Sequence, residues 1–160
     1  MNRIDKIIEH DLYKQHIAKI EMAEANRCFC RHNMGHFLDV ARIAMILNLE
    51  EGLGIDKDLI YAAALTHDIG RHKQYEDGTP HEIASAEYAP SILADAGFFA
   101  EEITVIVEAI RLHRSAEIAN EKSLNGIIYR ADKLSRACFA CKAEKDCDWK
   151  KDKKNLVVKW

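Results

Sequence analysis

The ten residues Tyr61 to Gly70, YAAALTHDIG, constrain the fold of this chain more than any other stretch. As a helix they are apolar around the whole circumference, a pattern that suits a central element rather than a surface one. Asp56 or Asp58 stands where it can cap that helix. Three consecutive alanines, Ala62 to Ala64, permit close packing around it. Yet the run ends in His67-Asp68. An imidazole beside a carboxylate can face one metal ion together, or the carboxylate can bridge two ions. Further donors stand at His36, His81, His113 and Asp132. Four neutral nitrogens and two anionic oxygens suit one or two iron, manganese or similar ions.

The remainder reads as helices. Only two prolines occur, Pro80 and Pro90, and the seven glycines fall mainly where helices are expected to break. Ile4, Ile7, Ile8, Leu12, His16 and Ile20 recur at helical spacing and predict one amphipathic helix. A second is expected from about Arg31 to Leu49, ended by Gly52 and Gly54. After the central helix, Arg71 to Pro80 is polar and carries turn residues, so it is read as a long loop and a candidate lid, with Tyr75 able to stack on a base. Helices are then expected over His81 to Ala94, with Pro90 kinking or shortening it, over Ala100 to His113, and over Leu124 to Cys141. No segment alternates as a strand does. The expectation is an all-α bundle of about six helices around a buried metal centre. It forms a single domain over 1–160, with its core at about 24–141 and a tail at 142–160. That tail is expected to be weakly ordered or to dock by Trp149 and Trp160.

Composition excludes several functions. The 160 residues carry a net charge of −3, which gives no general case for binding nucleic acid or an anionic membrane. No apolar run approaches the roughly 18 residues of a membrane span. The first residues, MNRIDKIIEHDLYK, are charged throughout and lack an apolar signal core. A cytoplasmic protein acting on a small molecule is expected, and an apolar-ended tail leaves room for a dimer.

Three segments carry a family resemblance. HFLDVA around His36, LTHDIGR around His67-Asp68 and RADKLSR around Asp132 resemble, in this order, the motif segments of the HD superfamily of metal-dependent phosphohydrolases. They span about His32 to Arg136. In two-metal members the HD aspartate bridges and two intervening histidines hold the second ion. HEIASAEYA at His81 and EAIRLHRS at His113 are similar to those segments. The pattern looks most like small di-iron HD proteins that hydrolyse diadenosine polyphosphates. The resemblance thus implies His36, His67, Asp68 and Asp132 as ligands, with His81 and His113 completing a second position. His81 also suits a plain helix start after Pro80. His32, one turn ahead of His36, is either a partner of the ligands or the first ligand itself.

The chemistry implied is hydrolysis by a metal-activated hydroxide, with Asp68 bridging and orienting it. The substrate implied is a nucleotide or dinucleoside polyphosphate. Arg71, His72, Lys73, Arg114, Lys133 and Arg136 lie near the ligands and are candidate phosphate contacts. Lys133 and Arg114 are the ones assigned to catalysis. Two other classes share the pattern: an iron-dependent oxygenase, separated by its need for oxygen, and a non-catalytic metal or redox sensor. The sensor reading draws on Cys28, Cys30, Cys138, Cys141 and Cys147, an odd number that argues against paired disulfides. Their two clusters flank converging segments, Cys138 and Cys141 are expected on one helix face, and zinc or an iron–sulfur cluster would suit them.

Overall fold

The computed structural model describes residues 1–160, and it contains eight α-helices and no strand. In chain order they are α1 Arg3–Glu9, α2 Asp11–Ala23, α3 Met34–Glu50, α4 Lys57–Thr66, α5 Arg71–Asp77, α6 His81–Ala96, α7 Ala100–Leu112 and α8 Leu124–Leu134. Four short 3-10 turns fill the remainder, three of them after α8. No helix is long and apolar enough to cross a membrane. The all-α expectation holds, and the central element is the one expected. Helix α4 touches α1, α3, α6, α7 and α8, and its residues Ala62 to Thr66 are fully buried.

Two helices more than expected arise for identifiable reasons. The N-terminal helix breaks at His10, whose backbone is extended and whose ring accepts from the Leu12 N–H to cap α2. The apolar face continues across the break, so periodicity alone reads it as one helix. The second addition is α5, where a loop was expected. Its polar composition hides one buried stripe residue, His72. Pairs at helical spacing, His72–Glu76 and Lys73–Asp77, support it. Gly78, in the left-handed region at φ 80°, ends it.

Two other expectations also fail at their boundaries. Pro90 lies inside α6 without ending it. Helix α8 stops at Leu134 instead of Cys141, because another group takes its terminal carbonyls. The Asn155 amide donates to the carbonyls of Lys133 at 2.8 Å, Leu134 at 3.3 Å and Arg136 at 2.9 Å. The Phe139 N–H in turn donates to the Asn155 carbonyl at 2.9 Å. The tail therefore docks by Asn155, while Trp149 and Trp160 remain substantially exposed.

Local chemistry then aims the donors. The Asn33 side chain accepts from the His36 N–H at 3.1 Å, which fixes His36 in the first turn of α3. His67 is the C-cap of α4, so His67-Asp68 leaves the central helix where its backbone turns. Gly70 in that turn lies flush against α6. A Cβ there would stand 2.4 Å from the Ser85 nitrogen, and the Gly70 N–H donates to the Ser85 hydroxyl at 2.9 Å. That contact brings the start of α6, and His81 with it, beside Asp68.

Candidate metal centre

Six side chains from the ends of five helices meet in the core. The donor atoms of His36, His67, Asp68 and Asp132 lie within 4.8 Å of one another, and so do those of Asp68, His81 and His113. Asp68 belongs to both groups and divides its oxygens between them. Its Oδ2 is 3.2 Å from His67 Nε2 and 3.7 Å from His36 Nε2. Its Oδ1 is 3.1 Å from His81 Nε2 and 3.4 Å from His113 Nε2. Asp132 Oδ1 closes the first group at 3.4 Å from His36 Nε2.

Each ring is oriented from behind. His67 Nδ1 donates to the Ala64 carbonyl at 2.7 Å, and His113 Nδ1 to the Ile110 carbonyl at 2.6 Å. His81 Nδ1 faces Gln74 Oε1 at 2.6 Å, and His36 Nδ1 meets the Ser135 hydroxyl at 3.3 Å. In their neutral forms, with the proton on Nδ1, His36, His67 and His113 each turn an Nε2 lone pair inward, whereas His81 Nδ1 also faces the Arg71 guanidinium at 2.8 Å. His36 Nε2, His67 Nε2 and Asp68 Oδ1 are buried without a hydrogen-bond partner. Unsatisfied buried polar atoms are costly, and a metal ion satisfies this set.

The electrostatics ask for the same thing. Burial opposes the charged form of His67, but Asp68 and Asp132 overcome it and hold its pKa at about 10. Burial likewise opposes ionised Asp68 and Asp132. The imidazoles around them nonetheless keep both well below the ordinary carboxylate range. Two buried carboxylates thus demand positive charge at this point, as protons or as a metal ion.

His32 stands behind the first group. Its Nε2 is 3.7 Å from Asp68 Oδ2, while its Nδ1 and backbone N–H both donate to the Glu24 carboxylate. Tyr75 adds its hydroxyl to Glu24 at 2.7 Å. Burial alone would raise Glu24, but these donors bring its pKa down to about 2. Burial lowers His32, so the pair is a carboxylate holding a neutral ring. Glu24 and Gln74 were not anticipated. Each is a polar residue in a polar stretch, and only the fold shows that Glu24 is buried.

Above the centre opens a cleft of about 410 Å³. Its walls carry Arg71, Arg114, Lys133 and Arg136 from the expected cations, together with Arg27 and Lys153. Lys133 Nζ bonds Asp132 Oδ2 at 2.8 Å and the His113 carbonyl at 3.0 Å. Arg136 reaches Asp132 Oδ1 at 3.4 Å, and Arg71 lies 2.8 Å from His81 Nδ1. Arg114 is half-exposed and faces Glu82. Phe29, Tyr129 and Trp149 supply flat apolar walls. Two expected contacts do not reach this cleft. His72 is buried on the far side of α5, against His16 at 2.9 Å and stacked on Tyr88. Lys73 is paired with Asp77. The expected lid is likewise replaced by helix α5, with Tyr75 turned to Glu24. Cys138 and Cys141 lie in a 3-10 turn and at its end, not on one helix face, and no cysteine joins three donor atoms within 4.8 Å.

The pattern of the HD domain family matches residues 33–137. The chain belongs to that family. It is 45% identical over 158 residues to an uncharacterized protein of Clostridium beijerinckii, covering 99% of both chains. It is 28% identical over 129 residues to ribonuclease Y of Clostridium tetani, matching 80% of this chain but only 22% of that one. A predicted HD superfamily hydrolase from an uncultured Thermotogales bacterium superposes with a TM-score of 0.62 at 25% identity, over 89% of this chain and 81% of the other. The fold and buried His/Asp cluster are those of an HD-domain hydrolase.

Proposed function

We propose that the protein hydrolyses a phosphorus–oxygen bond of a nucleotide or dinucleoside polyphosphate at a two-metal centre. One observation carries this reading: Asp68 presents one oxygen to each of two donor groups. His36, His67, Asp68 and Asp132 would hold one ion, and Asp68, His81 and His113 the other. The mixed nitrogen and oxygen donors suit iron or manganese. Such ions, when bound, polarise phosphoryl oxygens and make water nucleophilic near neutral pH.

The chain's own residues do the remaining work. Arg71, Arg136 and Lys133 ring the centre with cations that can bind the phosphate chain and stabilise charge developing on it. Lys133 also holds Asp132 in place. Arg114 stands farther out, where it can meet a distal phosphate. Tyr129 and Trp149 offer faces on which a base can stack. The cleft volume lies within the range of small-ligand sites. The likeness to a protein named a ribonuclease is consistent with a phosphate ester as substrate.

Metal analysis tests the reading directly, on protein purified without chelator or affinity nickel. Two iron or manganese ions per chain are expected, with hydrolysis of a panel of nucleotides and dinucleoside polyphosphates, followed as nucleotide and phosphate products, at the same rate with and without oxygen. A requirement for oxygen would overturn hydrolysis. His81→Ala is expected to lose one ion per chain and about 100-fold in turnover. Unchanged stoichiometry would make His81 structural.

A further inference from the structure

The C-terminal segment poses a problem of stability. Of residues 137–160 only Asn155 is buried, while Phe139, Trp149, Leu156 and Val157 are all substantially exposed. It has no α-helix and no core of its own. Ordering each residue costs about 1–2 kcal/mol of backbone entropy, and a handful of polar bonds is a small return. Short segments without a core are commonly held by a disulfide or a structural metal.

The same segment carries three free cysteines, and it packs where two more emerge ahead of α3. Cys28, Cys30, Cys138 and Cys141 line one pocket of about 340 Å³. Cys30, Cys138 and Cys147 line the adjoining wall of the cleft. Cys138 and Cys30 border both spaces, so the thiols form one group spread across two segments. Cys28 is exposed, whereas the other four are partly covered. The covered four supply the full ligand set of a closed tetrahedral site. The Lys154 side chain, in the same segment, is largely covered and pairs with Glu144 at 3.0 Å.

We infer that Cys30, Cys138, Cys141 and Cys147 bind one divalent ion of the zinc class as a tetrathiolate, stapling the C-terminal segment to the stretch ahead of α3. Binding converts four thiols to thiolates, releases four protons to solvent and changes no oxidation state. The complex carries two negative charges. Its ligands lie on turns and irregular backbone, outside any group of three donor atoms within 4.8 Å, so the sulfurs must draw together as the ion binds. The staple also serves the cleft, because Asp148, Trp149 and Lys153 in the same segment form part of its wall.

Cobalt(II) titration of the full-length, metal-stripped, reduced protein tests this. The inference expects a sulfur-to-cobalt charge-transfer band and intense tetrahedral visible bands, saturating at one equivalent and removed by zinc. Histidine and aspartate give no sulfur band, so this signal is independent of the centre proposed for catalysis. Cys141→Ser should lose it, and Cys28→Ser should keep it. In the unsubstituted chain, zinc should slow alkylation of every cysteine except Cys28 by at least about 10-fold, resolved by mass spectrometry. Cobalt binding without a sulfur band overturns the inference, as does equal alkylation of all five thiols with zinc. Acid-labile sulfide in anaerobically purified protein would overturn a single-ion site.

Discussion

The donor cluster and the C-terminal segment face each other across one cleft, and they are built on opposite terms. The donors project from helix ends that are themselves wedged in a core of 26 buried residues. Their positions follow from packing. The segment after α8 holds its place through polar bonds concentrated on one amide. The difference teaches that the two sides of the cleft are held by different forces, core packing on one and polar bonds on the other. The donor side chains are buried in the bundle, whereas Asp148, Trp149 and Lys153 on the opposite wall of the cleft belong to a segment with little buried surface.

Asp68→Ala should strike hardest. Removing the residue common to both donor groups should eliminate both ions and lower turnover on the order of 10³-fold or more, with the helical signal largely kept. Circular dichroism beside metal analysis checks it, and retained turnover would break the comparison. Phe37→Ala comes next, because Phe37 is fully buried and packs edge-on against His67 at 5.7 Å. A loss of about 3–5 kcal/mol is expected from urea unfolding, together with weaker metal binding if packing places the donors. Glu24→Gln sharpens the contrast through pH. Glu24 is depressed to about 2 from its ordinary 4.5. Its stabilisation is complete above 4.5 and disappears as pH falls toward 2. The stability gap between the natural chain and the variant should therefore be wide near pH 7 and narrow near pH 3. Asn155→Ala should have the smallest effect on the whole. It should cost about 1–2 kcal/mol locally, with proteolysis beginning after Arg136 while the thermal midpoint of the bundle barely moves.

The sequence was legible where burial and periodicity agreed. YAAALTHDIG reads as central because no face of it is polar, and α4 is the most enclosed helix. The six donors were legible as a set because their order and context resemble a family, not because spacing alone brings His36 beside Asp132. Helix α5 was illegible for the opposite reason: its buried residue is a histidine, which hydrophobicity does not flag. The end of α8 was hidden because it is decided by Asn155, twenty-one residues away from Leu134. Glu24 was hidden in the same way, since its partners His32 and Tyr75 are brought to it by tertiary structure alone.

Gly70 gives the geometry an evolutionary edge. One methyl group at this position would press into the backbone of α6, and α6 carries His81. A single nucleotide change, glycine to alanine, would therefore act as a spacer driven between two halves of a metal centre. The half formed by His36, His67 and Asp132 would stay with the bundle. The half reached through His81 would recede, and the second donor group would come apart without losing any of its side chains.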